Sequence, residues 1–355
     1  MPNVKLALVG AGNIAQHYAN TLARYPETTL VGVTDVDAAK ARDLATHHGV
    51  THYPTLEALL DDVRVELVVN LTTHRVHFEL TKQCLTARRH VYSEKPLALK
   101  PREAHTLVAL AQRQGVRLAC SPFTFLNEAQ QTLLKQVRDQ RVGKLRVAYA
   151  EMNWGRIETW HPEPYSFYEV GPLWDVGVYP LTLLTALFGP AHSVTASASV
   201  VLPQRTTLGG SSFEIMTPNF IVALITFADD VSARLSANFY VPIKSNQVGL
   251  ELHGDDGSLF LSDWLQPDAA VMVSDYDKPY TPLPLVRDPA DALEWGLGVR
   301  EFAQSILDNR PSRLNAEHAA HVVDVLNAID RAANTGARVD ISSQFPLPAA
   351  MEWAA

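Results

Sequence analysis

A six-residue apolar run, Val4–Val9, leads directly into Gly10-Ala11-Gly12-Asn13-Ile14-Ala15, and an amphipathic stretch follows. Between a strand and a helix, small residues at this spacing allow a tight turn at the first glycine and close packing at the alanine. Short apolar runs keep alternating with longer amphipathic stretches as far as residue 120. This alternation predicts parallel strands joined by helical crossovers, with helices on both faces of the sheet.

The predicted elements of this N-terminal region follow from the alternation. The strands are Val4–Val9, Thr29–Thr34, Glu66–Leu71, Arg89–Ser93 and Val116–Cys120. The helices are Ile14–Tyr25, Ala38–His47, Leu56–Leu60, Arg75–Ala87 and Pro101–Gln114. Pro101 suits a first helical turn because its missing N–H would have no partner there. We therefore predict a doubly wound α/β domain over residues 1–121.

Past Cys120 the pattern changes to strands without helical crossovers. We predict helices at Asn127–Gln140 and Gly177–Phe188, and strands at Lys144–Asn153, Ser193–Leu202, Asn219–Phe227, Ser232–Tyr240, Val248–His253 and Ser258–Leu261. Because parallel strands need long crossovers, this sheet should be largely antiparallel. Two long helical patterns, Asp291–Asn309 and Asn315–Thr335, complete an α+β domain over residues 122–345, and residues 346–355 form a tail.

The glycine-rich element favours binding of a dinucleotide. Gly12 lets a pyrophosphate approach the backbone while the helix N-terminus faces its charge, and Asn13 and Ile14 complete the predicted contact. Asp35 ends the second strand, where an acid can bind the ribose 2′-hydroxyl of NAD and repel the 2′-phosphate of NADP. The alternative role for Asp35 is a helix N-cap, although Asp37 is better placed for it. We expect NAD and leave NADP open.

Ligands of open parallel sheets lie across the carboxyl ends of the strands. Leu71, Thr72 and Thr73 follow one such end and are therefore candidate cofactor contacts. His77 is a further candidate contact. A histidine at a loop-to-helix junction is, however, more often a packed or capping residue.

The next strand ends in Glu94-Lys95-Pro96. At this carboxyl end Glu94 and Lys95 are candidate cofactor contacts, and the Lys95 ammonium can also project toward a substrate. Pro96 restricts Lys95 to an extended backbone conformation. The alternative is a solvated strand-end lysine paired with Glu94.

Several motifs in order resemble the Gfo/Idh/MocA oxidoreductases, named for glucose–fructose oxidoreductase, inositol dehydrogenase and a rhizopine-catabolism protein. They are the Gly10–Ala15 element, Glu94-Lys95-Pro96, Gly143-Lys144, Gly171-Pro172-Leu173-Trp174-Asp175-Val176-Gly177-Val178-Tyr179 and His253–Leu259. The resemblance covers almost the whole chain. It implies an N-terminal Rossmann domain and a C-terminal substrate domain, whose open-faced sheet often mediates dimers or tetramers.

The resemblance also implies three catalytic roles. Lys95 matches the lysine that orients the substrate hydroxyl and assists proton transfer, and Asp175 matches a substrate-positioning aspartate. Tyr179 stands where the family usually has histidine, as it does in the glucose–fructose oxidoreductase and dihydrodiol dehydrogenase branches. A free tyrosine is a poor base at neutral pH, but a neighbouring Lys95 ammonium would favour the phenolate. The alternative is a hydrogen-bonded core tyrosine.

Asp175 and Tyr179 are four residues apart, a spacing that can put both side chains on one face at the start of a helix. Pro180 is tolerated there only if the helix begins near Gly177. We therefore expect one helix to present both side chains to the same site.

An aromatic segment precedes Gly171 and contains Trp154, Trp160, His161, Tyr165 and Tyr168. Aromatic faces with polar tips suit a sugar or polyol ring, but aromatic residues are also the largest contributors to ordinary cores. We keep His161 and Trp160 as substrate candidates. Neither Asp61-Asp62 nor His47-His48 has partners at metal-ligand spacing, so we predict no metal.

The resulting hypothesis is an NAD(P)-dependent dehydrogenase or reductase acting on CH–OH groups. It would transfer a hydride between nicotinamide C4 and a secondary alcohol or carbonyl carbon of a sugar, cyclitol or related diol, with Lys95 and Tyr179 handling the hydroxyl proton. One alternative is a glycoside hydrolase or lyase that uses NAD for transient oxidation. Another is a non-catalytic nucleotide or sugar sensor, which the presence of Lys95, Asp175 and Tyr179 disfavours.

Composition limits the partners. A net charge of −8 argues against a protein that coats nucleic acid. Cys84 and Cys120 form neither a CxxC pair nor a disulfide framework, and no apolar run reaches the roughly 18 residues of a membrane span. We expect a cytoplasmic protein without nucleic-acid or membrane partners, which acts on a small molecule. We also expect a homodimer or homotetramer formed through the C-terminal sheet.

Overall fold

A computed structural model describes residues 2–355. The chain divides into two compact units. The first unit combines Met1–Leu126 with Ala292–Val323, and the second combines Asn127–Asp291 with Asp324–Ala355.

The helices and strands follow one another in chain order. As far as residue 121 they are β1 (Val4–Val9), α1 (Ala15–Leu22), β2 (Thr28–Thr34), α2 (Ala38–His48), β3 (Thr51–His52), α3 (Leu56–Asp61), β4 (Leu67–Asn70), α4 (His77–Thr86), β5 (His90–Ser93), α5 (Pro101–Gln114) and β6 (Leu118–Cys120). Next come α6 (Glu128–Arg138), β7 (Leu145–Asn153), α7 (Tyr165–Asp175), α8 (Val178–Phe188), β8 (Ser193–Ser199), β9 (Gln204–Thr206), β10 (Ser212–Glu214), β11 (Phe220–Thr226) and β12 (Ser232–Asn238). The remaining elements are β13 (Gly249–Gly254), β14 (Gly257–Leu261), β15 (Val271–Asp275), β16 (Thr281–Leu283), α9 (Leu297–Leu307), α10 (Ala316–Thr335) and β17 (Val339–Asp340).

The first unit contains a parallel sheet with strand order β3-β2-β1-β4-β5-β6. All four residues of β4 are buried, as expected for a strand covered on both faces. The order reverses between β1 and β4, so their carboxyl ends lie side by side at the position where doubly wound sheets bind ligands. The predicted α/β class and the five predicted strands are confirmed, and the two-residue strand β3 is an addition.

Helix α9 belongs to the first unit, although we predicted residues 122–345 as one continuous domain. The backbone N–H of Gly296 donates to Thr21 Oγ1 on α1 over 2.8 Å, and Arg300 pairs with Glu27 at 3.0 Å. A Cβ on Gly298 would lie 2.3 Å from the Tyr92 hydroxyl oxygen. These contacts pack α9 against α1 and β5. Nothing in the sequence indicated this packing, because α9 lies about 200 residues or more after those elements in the chain.

The second unit contains a nine-stranded sheet of order β16-β15-β14-β13-β7-β12-β11-β8-β17. All neighbours run antiparallel except β7 and β12, so the predicted α+β domain with a mostly antiparallel sheet is confirmed. Helix α6 packs on β14 and β15, and α7 packs on β11 and β12. Along β11 the residues Ile221, Ala223 and Ile225 are buried, whereas Leu224 on the other face is 51% exposed. One face of the sheet is therefore covered by helices of its own unit.

One segment, Tyr165–Phe188, has the length and mean hydropathy of a membrane span, and 67% of it is buried inside the protein. A buried core segment of a folded domain can have the same length and mean hydropathy. The segment consists of two helices, α7 and α8, and α7 is itself kinked at Gly171, where φ is 78° and ψ is 161°.

Candidate functional site

Gly10 follows β1 and packs against the backbone that follows β4. Its φ is 106°, and a Cβ at this position would lie 2.8 Å from both the carbonyl carbon and the carbonyl oxygen of Leu71. The same Cβ would lie 3.0 Å from the Thr72 backbone nitrogen. Only glycine satisfies both the positive φ and this close approach, so Gly10 sets the spacing between the two central loops.

The N-terminus of α1 fits a pyrophosphate. A Cβ on Gly12 would meet nothing within 4 Å, so the space above this backbone is open. Ile14 is the N-cap of α1 and makes no side-chain capping hydrogen bond, which leaves first-turn N–H groups available to an anion. Asn13 is exposed in the same loop, and Ala15 is fully buried, as close helix–strand packing requires. The residues predicted to hold NAD therefore form a suitable cradle.

Asp35 lies at the carboxyl end of β2 and holds the glycine loop. Its Oδ2 accepts from the Ala11 backbone N–H at 2.6 Å, and its Oδ1 accepts from the Asp37 backbone N–H at 2.7 Å. Asp37 is the N-cap of α2, since its side chain accepts from the N–H groups of Ala39 and Lys40. The capping alternative for Asp35 is thereby removed. Each carboxylate oxygen retains a second lone pair for a ribose hydroxyl.

The loop after β4 is fixed by Asn70, which the sequence reasoning did not select. Asn70 is fully buried, and its Oδ1 accepts from the Thr72 hydroxyl at 2.6 Å and from the Thr72 backbone N–H at 3.2 Å. Leu71 is buried beside Gly10, and Thr73 is exposed. Among the predicted contacts in this loop, the Thr73 side chain is exposed to solvent. The Thr72 hydroxyl instead donates its proton to Asn70.

His77 is buried between the loop after β4 and the loop after β5. It is 1% exposed, with Nδ1 2.8 Å from the Pro96 carbonyl oxygen and Nε2 3.0 Å from the Thr72 carbonyl oxygen. Burial lowers the pKa of His77, and the Pro96 and Thr72 carbonyl oxygens oppose that effect. The packed alternative therefore describes the His77 side chain, and the contact of His77 with the cofactor stays a prediction.

Glu94 also points inward, whereas Lys95 is half-buried at the end of β5. Glu94 is 7% exposed, and its Oε1 accepts from the hydroxyls of Tyr18 at 2.5 Å and Ser121 at 2.9 Å. Its Oε2 accepts from the Lys95 backbone N–H at 3.1 Å. The Glu94 carboxylate is therefore a buried support beneath Lys95, and the contact of Glu94 with the cofactor stays a prediction.

In the second unit, Asp175 and Tyr179 lie on consecutive helices rather than on one. Asp175 is the last residue of α7, and Tyr179 is the second residue of α8. Because α8 begins at Val178, Pro180 stands in the first turn, as we predicted. Both Asp175 and Tyr179 are half-buried. The break between the helices is tight, since a Cβ on Gly177 would lie 2.6 Å from the Leu173 carbonyl oxygen.

Trp174 anchors this motif. Its indole Nε1 donates to Asp330 Oδ2 on α10 at 2.6 Å, and burial raises the pKa of Asp330. Asp330 is a supporting residue that carried no local sequence signal, because it lies more than 150 positions from its partner.

The aromatic segment divides into a surface part and a core part. Trp160 is 47% exposed, and its ring centroid lies 5.6 Å from that of His161, whose Nδ1 accepts from the Glu163 backbone N–H. These two remain substrate candidates. Tyr168 is buried and donates to Glu158, which pairs with the buried Arg205 at 2.7 Å. Tyr168 is therefore a core residue.

Among residues 2–355, no three His, Cys, Asp or Glu side chains are placed to hold a metal ion. Lys95 lies in the first unit, and Asp175 and Tyr179 lie in the second. Within the first unit the structure brings the cofactor loops together, and within the second unit it brings Asp175 and Tyr179 together at the α7–α8 junction.

Comparisons with known proteins agree with this architecture. A model of the oxidoreductase family with an NAD-binding Rossmann fold matches residues 4–121, and a model of the GFO/IDH/MocA C-terminal domain matches residues 130–260. The chain is 27% identical over 297 residues to dTDP-3,4-didehydro-2,6-dideoxy-alpha-D-glucose 3-reductase of Streptomyces antibioticus. The match covers 78% of this chain and 88% of that protein. It is 29% identical over 203 residues to trans-1,2-dihydrobenzene-1,2-diol dehydrogenase of Mus musculus, with coverages of 55% and 59%.

Among solved structures, levoglucosan dehydrogenase in complex with NADH and L-sorbose matches with a TM-score of 0.84 at 17% identity. The match covers 96% of this chain and 99% of that one. The two family models together span most of the chain. The glycine loop, Asp35 and Lys95 all lie within the range that the first model matches. The chain belongs to the Gfo/Idh/MocA family of oxidoreductases and carries the family's NAD-binding Rossmann domain at its N-terminus.

Proposed function

We propose that this protein is an NAD(P)-dependent dehydrogenase or reductase that interconverts a secondary alcohol and a carbonyl group on a sugar, cyclitol or related diol. The observation that carries the proposal is the placement of Lys95 at the carboxyl end of β5, next to the Gly10–Thr72 junction. The sugar and diol specificities of the two named relatives support this substrate class.

The roles of the chain's own residues follow from their chemistry. When bound, the nicotinamide supplies the hydride acceptor or donor. Gly12 and the α1 N-terminus would hold the pyrophosphate, and Asp35 would hold the ribose. In this proposal Lys95 orients the substrate hydroxyl, and Tyr179 takes or returns its proton. Asp175 positions the substrate through a second hydrogen bond.

A substrate screen tests the proposal. Sugars, inositols and vicinal diols are offered with NAD and with NADP, and nicotinamide absorbance and product release are both followed. Absorbance change coupled to product supports the dehydrogenase. Product release without net NADH identifies the hydrolase or lyase instead, and binding without turnover of any compound identifies the sensor.

Cofactor choice depends on Asp35. We expect Asp35→Ser to weaken NAD binding by roughly tenfold and to relax exclusion of NADP, because the ribose acceptor and its charge are both lost. Titration of both cofactors measures this. Asp35→Asn removes the charge together with one of the two loop acceptors, because its amide nitrogen can only donate. Asp37→Ser, which keeps a good N-cap, is the matched control. Tighter binding of NADP by the wild type would make the NAD assignment wrong.

We also propose a cytoplasmic location and self-association through the open face of the second sheet. The buried, unpaired thiols of Cys84 and Cys120 support a reducing compartment. The exposed apolar residue Leu224, on the face not covered by helices, supports an isologous contact.

Light scattering at micromolar concentration should therefore give a dimer or a dimer of dimers. Leu224→Glu should shift the protein toward monomer, because it buries a charge in the contact. Leu208→Glu changes another exposed leucine, which lies outside this sheet, and should leave the mass unchanged. A monomeric wild type would contradict the assembly proposal.

A further inference from the structure

A buried hydrogen-bond network lies directly beneath Lys95. It links Tyr18 on α1, Tyr92 and Glu94 at the end of β5, and Ser121 after β6. The Tyr92 hydroxyl is 2.8 Å from Ser121 Oγ, which lies 2.9 Å from Glu94 Oε1, and the Tyr18 hydroxyl lies 2.5 Å from the same oxygen. None of these four residues is more than 7% exposed.

The protons of the network can be assigned. Burial, and then the negative charge of Glu94, raise the pKa of Tyr18 and of Tyr92 well above the ordinary tyrosine value, so both hydroxyls keep their protons. Ser121 donates to Glu94, and Tyr92 must therefore donate to Ser121. Glu94 accepts from Tyr18, Ser121 and the Lys95 backbone N–H, so three donors surround this one carboxyl group.

Helix α9 and the residues before it close this network off. Gly298 approaches the Tyr92 hydroxyl so closely that a methyl group would not fit, and the Phe302 ring lies 6.4 Å from the Tyr92 ring. The Trp295 ring lies 6.1 Å from that of Tyr18. Hydrogen bonds in such a dry environment are stronger than in water, and a lost donor is not replaced by solvent.

We propose that Tyr18 is a positioning residue for Lys95, acting through Glu94. The inference rests on the proposed function for the role of Lys95, but its geometry is independent of the substrate. Tyr18 and Ser121 fix one carboxylate oxygen, and the other oxygen holds the Lys95 peptide N–H. The direction in which the Lys95 side chain leaves the backbone is thereby set from α1, nearly eighty residues earlier in the chain.

The direct test is hydrogen exchange at the Lys95 backbone amide in the full-length protein. Selective ¹⁵N-lysine labelling gives nine lysine amide signals, and Lys95→Arg identifies the one that disappears. Tyr18→Phe keeps the ring and removes the donor, so we expect exchange at Lys95 to accelerate by roughly five- to tenfold. Ser121→Ala, which removes the other donor to the same oxygen, should act in the same direction.

The matched control is Tyr53→Phe. Tyr53 is also a buried tyrosine of the first unit, and its hydroxyl donates to the carboxylate of Asp62 at 2.6 Å. This variant should leave the Lys95 exchange rate unchanged. Unchanged exchange in both Tyr18→Phe and Ser121→Ala, or equal acceleration in Tyr53→Phe, overturns the inference.

A second readout separates this inference from the proposed function. On a substrate that the wild type turns over, Tyr18→Phe should lower kcat by roughly tenfold, with KM and the cofactor Kd changed less than twofold. If its kcat equals that of Tyr53→Phe, Tyr18 does not position Lys95 and the inference is wrong. If no compound is turned over by the wild type, the proposed function fails, and the exchange rates alone decide the inference.

Discussion

Replacing Lys95 by methionine, or Tyr179 by phenylalanine, is expected to lower kcat by roughly 10²–10⁴-fold, the usual loss when general acid–base catalysis is removed. The two groups would handle one proton together, so the double variant should be scarcely slower than the slower single variant. Cofactor Kd should change little, because the pyrophosphate and ribose contacts are assigned to Gly12, α1 and Asp35. Steady-state kinetics and fluorescence titration of NADH measure both quantities.

Matched controls exist for each substitution. Lys100→Met removes an exposed lysine that pairs with Glu103, five residues beyond Lys95. Tyr165→Phe removes an exposed hydroxyl in the second unit. Both should keep wild-type turnover. Wild-type turnover by Tyr179→Phe, on a substrate for which chemistry limits the rate, would make Tyr179 a structural residue and His161 the next candidate base.

Gly10→Ala should destabilise the apo protein by about 2–5 kcal/mol. Adopting a left-handed conformation costs a residue with a Cβ about 1–2 kcal/mol, and overpacking against the Leu71–Thr72 backbone costs about 1–3 kcal/mol more. A loss of this size corresponds to a fall in Tm of roughly 5–20 °C for a unit of this size. Calorimetry without cofactor measures it.

Gly12→Ala is the natural counterpart, because its Cβ would meet no protein atom within 4 Å. We expect apo stability within about 0.5 kcal/mol of the wild type. Binding of NAD should nevertheless weaken at least about tenfold, since the methyl group occupies the space through which a pyrophosphate approaches the backbone. Equal loss of apo stability in both variants would contradict this division of roles.

The sequence predicted the elements whose patterns are local. Apolar runs located the strands of the first sheet, and β1 and α5 have the predicted bounds. Helix α7 was missed because glycine and proline interrupt it and its aromatic residues resemble a loop-borne platform. Strands β9, β10 and β16 were missed because three-residue strands are too short to show a periodicity, and the five-residue strand β15 was also missed.

The site was predictable only where backbone chemistry dictates residue type. Glycines at a switch point and an acid after β2 leave a signature in the chain, so Gly10, Gly12 and Asp35 could be predicted as cofactor residues. Asn70 holds the loop through hydrogen bonds at a buried strand end. It was missed because, in the sequence, it looks like an ordinary polar residue at the end of a strand. Tyr18 meets Glu94 across 76 positions, and no periodicity connects them. For Glu94 and His77 the sequence predicted a place beside the strand ends, but it could not show that their side chains are buried.

The assignment of residues 292–323 to the first unit has a consequence for how the protein is made. A ribosome releases the strands of the Rossmann sheet long before α9. Residues 127–291 must be translated in between, which takes about 10–30 s at about 5–20 residues per second. During that interval the nascent sheet lacks the helix that packs on Thr21 and Tyr92. A premature stop codon near residue 290 would therefore leave every cofactor motif encoded and still yield an uncovered, aggregation-prone sheet.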